Sequence, residues 1–448
     1  MVSIDRSYTV TPSETTPTTT LSLSLCDQIK LSNHASQLYL FTKTKLHPST
    51  NILITSLSKT LNHYYPFAGR LNLVKGTNHF QLHCNNKGAH FFEATCHLTL
   101  NHLFANNFDS NHVVQKLLPK VNYDVPIQHV PLLVVQLTKF PCGSLTLGLA
   151  LCRPILDGFS SVNFVTSWAN LAKGKNLDSS LIPFINPSHL DSKSLHLPPR
   201  FQHHEFSPPP LWEGCNSNNL LPLYATTTLK LTKNQVNKLK NKVRGYTSFE
   251  IISGYLWRCV CKVRFQGNWN QPTRLTTSVN CRNRLNPPLP KKYFGNATFP
   301  TVTQVCSFDD IVHKPLCYVV GKVREAIEKV NDEYVRSALD YVGNQKDMSL
   351  LRDKFYKFDR RNVLMGGDPN LYVVGWSNFP FYETDFGWGK PDCLVPGFVN
   401  SDGIGKAFVL DDANGDGFVV TTCLQPSHID ALKKLFYEDL EMISSSKL

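Results

Sequence analysis

The chain has 448 residues, 42% of them hydrophobic and 18% charged, which suits two or three domains with full cores and excludes a disordered chain. Basic residues outnumber acidic ones, 46 against 34, and the net charge of +12 is in keeping with anionic partners: nucleic acid, a membrane surface or a phosphate-bearing cofactor. No apolar run approaches the roughly 18 residues that span a bilayer, and the opening "MVSIDRSYTV" lacks a secretory core, so a soluble compartment is expected.

Thirteen cysteines, scattered from Cys26 to Cys423, read as reduced core thiols, with neither disulfides nor zinc expected. The first strong periodicity is "SLTLGLALC", residues 144–152. Leu145, Leu147, Leu149 and Leu151 share one face, and Thr146, Gly148, Ala150 and Cys152 the other, as in a buried strand. Pro154 stops it. In "FSSVNFVTSWANLAKG", Phe164, Trp168 and Leu171 follow helical spacing, and Lys173 and Gly174 close the helix. Between strand and helix lies "CRPILDG", with Arg153 four residues before Asp157.

From 176 to 222 periodicity fails and prolines gather, which reads as a crossover between domains 1–175 and 223–448. A strand at "LYATTTLKL" then leads into a basic helix over 230–244, where Val236, Leu239 and Val243 form an apolar face. No aromatic residues interleave with its lysines as stacking platforms, so nucleic acid is not the expected partner. A helix at "SFEIISGYLWRCVCKVR" and a strand near "RLTTSVNCR" follow. "DDANGDGF" has the spacing of a calcium loop up to Gly417, but Cys423 stands where the bidentate glutamate belongs. A hairpin turn is the better reading. The chain ends in Ser446, Lys447 and Leu448, the address read by the peroxisomal import receptor.

Six segments, running through almost the whole chain, resemble the BAHD acyltransferases of plants. They are "TPTTTLSLSLCDQI" (Thr16 to Ile29), "YYPFAGRL" (Tyr64 to Leu71), "LALCRPILDG", "SFEIISGYLWRCV", "VNCRNRLNPPLPKKYFGN" (Val279 to Asn296) and "DFGWGKP" (Asp385 to Pro391). The pattern is most similar to the hydroxycinnamoyl and spermidine branch. The resemblance implies an α/β fold of two similar-sized mixed-sheet domains, like chloramphenicol acetyltransferase, meeting along a channel. Acyl-CoA would be a co-substrate with no permanently bound cofactor, and the protein a monomer acting on small molecules, without membrane or metal.

The resemblance also assigns residues. Asp157 would pair with Arg282 and fix the turn. Ser248 and Asn296 would lie by the pantetheine arm, the basic helix near the coenzyme phosphates, and Asp385, Gly387 and Trp388 would support the channel on the coenzyme side. His34 and Asn378 would face the acceptor. Relatives that take shikimate carry an arginine where Asn378 stands, so shikimate is a poor acceptor candidate. An aromatic or short-chain acyl-CoA, of the kind peroxisomes generate, is the expected donor.

The departure is at position 153, where the family has the histidine that takes the acceptor's proton. Arginine keeps its own proton at any physiological pH and cannot act as that base. Three readings remain. The chain is an acyltransferase with a substitute base, His34 being a candidate, or with none, which suits an amine acceptor. Alternatively, Arg153 holds an anionic substrate for a lyase or cyclase reaction. Finally, the protein is a silent binding module or partner subunit.

Overall fold

The computed structural model describes residues 2–42, 44, 49–100, 102, 111–191, 198–212, 224–356, 367–397 and 405–445. The signal Ser446, Lys447 and Leu448 lies outside these residues, as do 192–197 and 213–223 of the expected crossover.

Two mixed six-stranded sheets organise the chain. The first runs, edge to edge, Val2–Val10, Ala89–Cys96, Leu133–Lys139, Leu145–Cys152, His34–Phe41 and Cys393–Gly397. The second runs Thr298–Val302, Leu275–Asn280, Leu371–Gly375, Lys406–Asp411, Gly417–Leu424 and Ala225–Thr232. Each combines parallel with antiparallel pairs. Strand Cys393–Gly397 comes from the C-terminal half yet pairs antiparallel with His34–Phe41, so hydrogen bonding crosses any simple division at residue 223.

The strand Leu145–Cys152 is buried on both faces. Its four leucines join the main N-terminal core, which also takes Phe164 and Trp168 from helix Gly158–Ala172 and Leu53, Leu57 and Leu61 from helix Thr50–His63. Small residues on the opposite face follow from a close approach: a Cβ added at Gly148 would lie 2.4 Å from the Leu117 carbonyl oxygen. "YYPFAGRL" belongs to the core. Phe67 packs 4.5 Å from Phe164 and 5.5 Å from Phe294, and buried Arg70 donates to the Gly69 and Gly88 carbonyls. The strand, turn and helix read from the sequence around Arg153 are thus present, with Gly174 ending the helix in the left-handed region at φ +73°.

In the C-terminal half, the basic segment forms helix Lys233–Lys242, with Val236 and Leu239 buried and Thr232 and Gln235 completing a capping box. Helix Ser248–Val263 is capped likewise by Thr247 and Glu250, and Glu250 also pairs with Arg324 at 2.7 Å. "DDANGDGF" is the hairpin turn between Lys406–Asp411 and Gly417–Leu424. The crossover piece 198–212 is held to the C-terminal half through His203, whose ring nitrogens meet Glu205 at 2.9 Å and Ser337 at 3.0 Å.

Candidate active site

The turn after Cys152 is fixed at both of its polar backbone ends. The Arg153 N–H donates to the Asn33 carbonyl at 2.9 Å, and the Arg153 carbonyl accepts from the Asn296 side-chain amide at 2.8 Å. Pro154 shapes a single tight turn over Arg153–Ile155, and Asp157 then caps helix Gly158–Ala172 by accepting from the Ser160 N–H at 2.9 Å.

Asp157 accepts three further bonds: Arg282 Nη1 at 2.8 Å, Arg282 Nη2 at 3.1 Å and the Ala297 N–H at 2.9 Å. Burial opposes its charge, but Arg282 and these donors outweigh burial and hold its carboxyl below the usual range. Arg282 is itself anchored by the Tyr293 and Gly295 carbonyls and lies 4.7 Å over the Phe159 ring. The pair ties the end of the N-terminal sheet to the loop after Leu275–Asn280. Its charges compensate each other, as a buried carboxylate requires.

A second buried carboxylate supports the same turn. Asp27 accepts from both the backbone and side-chain nitrogens of Asn296, each at 2.8 Å, and from the Ser24 N–H and hydroxyl at 3.0 and 2.6 Å. Burial outweighs those bonds and pushes its carboxyl up to about 6. Asn296 therefore joins Asp27 to the Arg153 carbonyl.

Arg153 itself lines a cavity of about 230 Å³ between the two sheets, with Gln37 and Leu151 from one and Ser278, Tyr372 and Phe408 from the other. No carboxylate among the described residues pairs with its guanidinium, and its buried Nε has no hydrogen-bond partner. Lys30 and Lys406 also line the cavity, and Asp157 is the one acid that does so among the described residues. Trp376 and Phe379 add flat apolar wall. Gly158 permits this arrangement, since a Cβ there would come 3.0 Å from the Trp376 indole nitrogen.

Of the residues singled out by sequence, Arg153, Asp157 and Asn296 meet at the cavity, with Arg282 behind them. His34 does not line it. Its Nε2 lies 2.9 Å from the Pro131 carbonyl, which makes that nitrogen the N–H donor, and leaves Nδ1 accepting from the Tyr123 hydroxyl at 2.8 Å. Burial pushes its pKa down to about 4, with the Arg153 charge acting in the same sense. Both ring nitrogens of His34 are thus engaged within the protein, and the ring contributes no surface to this cavity.

Asn378 is exposed, with φ +65°, and its N–H donates to Asp411; it shapes a turn beside the Phe379 wall without lining the cavity. Ser248 is the first residue of its helix and is likewise absent from the lining. Asp385 accepts from the Gly387 and Gly389 N–H groups at 2.8 and 3.0 Å and pairs with Lys173 at 3.5 Å. Gly387 needs its φ of +106°, and Trp388 stacks on Phe386 against Phe41. "DFGWG" thus folds a loop onto the end of helix Gly158–Ala172 away from the cavity.

Sequence reasoning missed Asp27, Lys30, Trp376 and Lys406. The S-x-x-D spacing from Ser24 marks Asp27 as a capping residue, which it is, but carries no sign of its bond to Asn296.

Residues 1–439 match the family model described as the Transferase family. The hydroxycinnamoyl-CoA:piscidic acid hydroxycinnamoyltransferase of Actaea racemosa is 36% identical, over 98% of this chain and 100% of its own length. The anthranilate N-benzoyltransferase protein 2 of Dianthus caryophyllus is 33% identical, over 98% and 99%. Among solved structures, F. graminearum TRI101 complexed with coenzyme A and T-2 mycotoxin superposes with a TM-score of 0.75 over 93% of this chain and 97% of that one; at 13% identity it shows a shared fold.

Proposed function

The chain belongs to the Transferase family, that of the BAHD acyltransferases, and from that membership we propose that it transfers an aromatic or short acyl group from coenzyme A to an acceptor whose carboxylate is held by Arg153. One observation carries this reading: a guanidinium borders the cavity with no described carboxylate to neutralise it, while the adjacent Asp157 is taken up by Arg282. A fork of donors bordering a cavity is suited to a carboxylate, which it binds through paired charge-assisted bonds. Piscidic acid and anthranilate, in the names of the two relatives, are both carboxylic acids.

In this reading Arg153 stands where the family's proton-accepting histidine would be, four residues before Asp157. The protein's contribution is then to bring thioester and acceptor together and exclude water, a proximity effect that does not depend on a side-chain base. Asp157 and Arg282 hold the turn, and Asn296 fixes the Arg153 backbone. Coenzyme A would run between the domains, with the lysines of helix Lys233–Lys242 beside its phosphates. Delivery to peroxisomes through Ser446, Lys447 and Leu448 would place the protein near aromatic acyl-CoA thioesters. A silent protein would be better served by an Arg153 paired with Asp157 across a closed cavity.

The test is thiol release from benzoyl-CoA, p-coumaroyl-CoA and acetyl-CoA with acceptors that have or lack a carboxylate. Release that depends on a carboxylate-bearing acceptor is expected. Equal release with acceptors lacking one contradicts the role of Arg153, and no acceptor-dependent release with any donor contradicts acyl transfer.

A further inference from the structure

We infer that a second cavity between the two sheets binds an apolar α-amino acid as its zwitterion. This cavity measures about 270 Å³ and shares no lining residue with the one that Arg153 borders. Alternation along two strands of the second sheet sets its polar floor. Leu229, Leu231 and Val420 turn into the C-terminal core, so Thr228, Lys230, Val419 and Thr421 turn into the cavity. Thr228 lies directly across from Thr421, and Lys230 across from Val419. Cys393, Leu394 and Val395 of the first sheet supply a further wall, so an occupant touches both halves of the chain.

The floor is a patch of donors. Thr421 is only 5% exposed, and neither threonine hydroxyl has a side-chain hydrogen bond among the described residues. The Lys230 ammonium likewise meets no described carboxylate at ion-pair distance. The Tyr437 hydroxyl, by contrast, is taken up by the Lys230 backbone, at 2.9 Å from its N–H and 3.2 Å from its carbonyl. An ammonium beside two hydroxyls is a counterpart for a carboxylate.

Acceptors border the same space. Asp412, in the hairpin turn, receives the Asn414 N–H at 3.1 Å, and Asp392 receives the Thr42 N–H and hydroxyl at 2.6 and 2.8 Å. A carboxylate has about four acceptor positions, so both retain room for an ammonium, Asp412 the more. All three charges act on Cys393. Burial pushes its thiol up to about 12, with Lys230 opposing and Asp412 and Asp392 reinforcing, so the thiol is an uncharged part of the wall.

This mixture of signs selects the ligand. A plain carboxylate or phosphate would suit Lys230 and be repelled by two acids; a plain amine would suit the acids and be repelled by Lys230. No group of three or more His, Cys, Asp or Glu side chains suited to a metal ion occurs among the described residues. An α-amino acid carries carboxylate and ammonium on one carbon, both charged at neutral pH, and matches both signs at once. Leu394, Val395, Val419 and the Tyr382 ring are left for an apolar side chain. The volume lies just under the about 300–1,000 Å³ of pockets for drug-sized molecules, as suits so small a ligand. Strand Cys393–Gly397 runs from this cavity to the other, which Gly397 lines, so a bound amino acid would brace a wall of both.

The experiment titrates L-phenylalanine and L-leucine calorimetrically into the full-length chain. Controls lacking one charge are 3-phenylpropanoate and phenethylamine for the first, and 4-methylpentanoate and 3-methylbutylamine for the second. At least one amino acid should bind with a Kd of ~1 mM or tighter. Arg153→Gln should leave that affinity within ~3-fold, whereas Lys230→Gln and Asp412→Asn should each weaken it at least ~10-fold. Lys230 is exposed, and asparagine at 412 keeps an oxygen for the Asn414 N–H, so both variants should fold. In Arg153→Gln, where the other cavity has lost its guanidinium, the amino acid should bind at least ~10-fold more tightly than either of its controls. Saturating coenzyme A should leave the titration unchanged. Weaker binding of both amino acids, a control that binds equally well, affinity retained in Lys230→Gln, affinity lost in Arg153→Gln, or displacement by coenzyme A overturns the assignment.

Discussion

Asp27 and Asn296, 269 residues apart in sequence, are joined by two hydrogen bonds of 2.8 Å, and the same Asn296 amide holds the Arg153 carbonyl. The N-terminal segment thereby reaches across the domains to the turn that presents the guanidinium. Because Asp27 is fully buried, its burial, opposed by the Ser24 and Asn296 bonds, leaves its carboxyl at about 6 in the folded chain, against an ordinary 3.8.

That rise fixes the sign of a pH effect. A carboxyl raised in the folded state contributes stability below its unfolded value, and that contribution is lost as pH climbs through the folded value. Asp27→Asn removes the titration. Comparing urea unfolding of the two proteins, the variant is expected to gain on wild type between about pH 4 and about pH 6.5, by on the order of 3 kcal/mol. A difference in stability that does not change with pH contradicts the assignment.

Asp157 and Arg282 give the opposite sign. Burial disfavours the carboxylate, but Arg282 and the backbone donors keep its carboxyl low, so its contribution is present above the ordinary aspartate range and is lost as pH falls through the depressed folded value. Arg282→Ala leaves a buried charge unpaired and should cost about 3–5 kcal/mol at neutral pH. Adding Asp157→Asn to it should recover part of that loss, since the residual penalty belongs to the orphaned carboxylate. Additive losses would show that the two side chains act independently.

On the proposed reading, Arg153→His exchanges a carboxylate anchor for a proton acceptor. Transfer to an alcohol without a carboxylate should rise, up to the ~100-fold lower bound typical of general base catalysis, while KM for 2-aminobenzoate should worsen. Steady-state kinetics on both acceptors measure the exchange, and a variant that loses both activities would show that the geometry of the turn cannot accommodate the smaller ring.

Asp385 closes its loop through Gly387 and Gly389 and does not line the cavity that Arg153 borders. Asp385→Ala should therefore lower unfolding stability by about 1–3 kcal/mol through the lost carboxylate bonds, with KM for the acyl-CoA donor moving less than ~3-fold. A donor KM raised ~10-fold or more, with stability retained, would return Asp385 to the coenzyme side.

The local architecture of the site was legible because it is local. Alternating leucines, Pro154 and the spacing of Phe164 and Trp168 define the strand, turn and helix that carry Arg153 and Asp157. The Asp157–Arg282 pair was expected through family resemblance, since no periodicity links positions 125 residues apart. Asp27 went unread as a site residue for the same reason: its cap with Ser24 is written locally, but its bond to Asn296 depends on how the two sheets meet. The surroundings of His34 were not legible because a histidine's identity says nothing of its partners, and the Pro131 carbonyl and Tyr123 hydroxyl that engage it come from other segments. Lys30 and Lys406 come from opposite ends of the chain and become one charged lining only in the fold.

The role of Arg153 is tested most directly by calorimetric titration of 2-aminobenzoate into wild-type protein and Arg153→Gln, with aniline as the control ligand. Wild type should bind 2-aminobenzoate about 10- to 100-fold more tightly than the variant, as loss of a charge-assisted pair predicts, with no comparable difference for aniline. Equal affinity of the two proteins for 2-aminobenzoate would contradict a guanidinium that receives the acceptor's carboxylate.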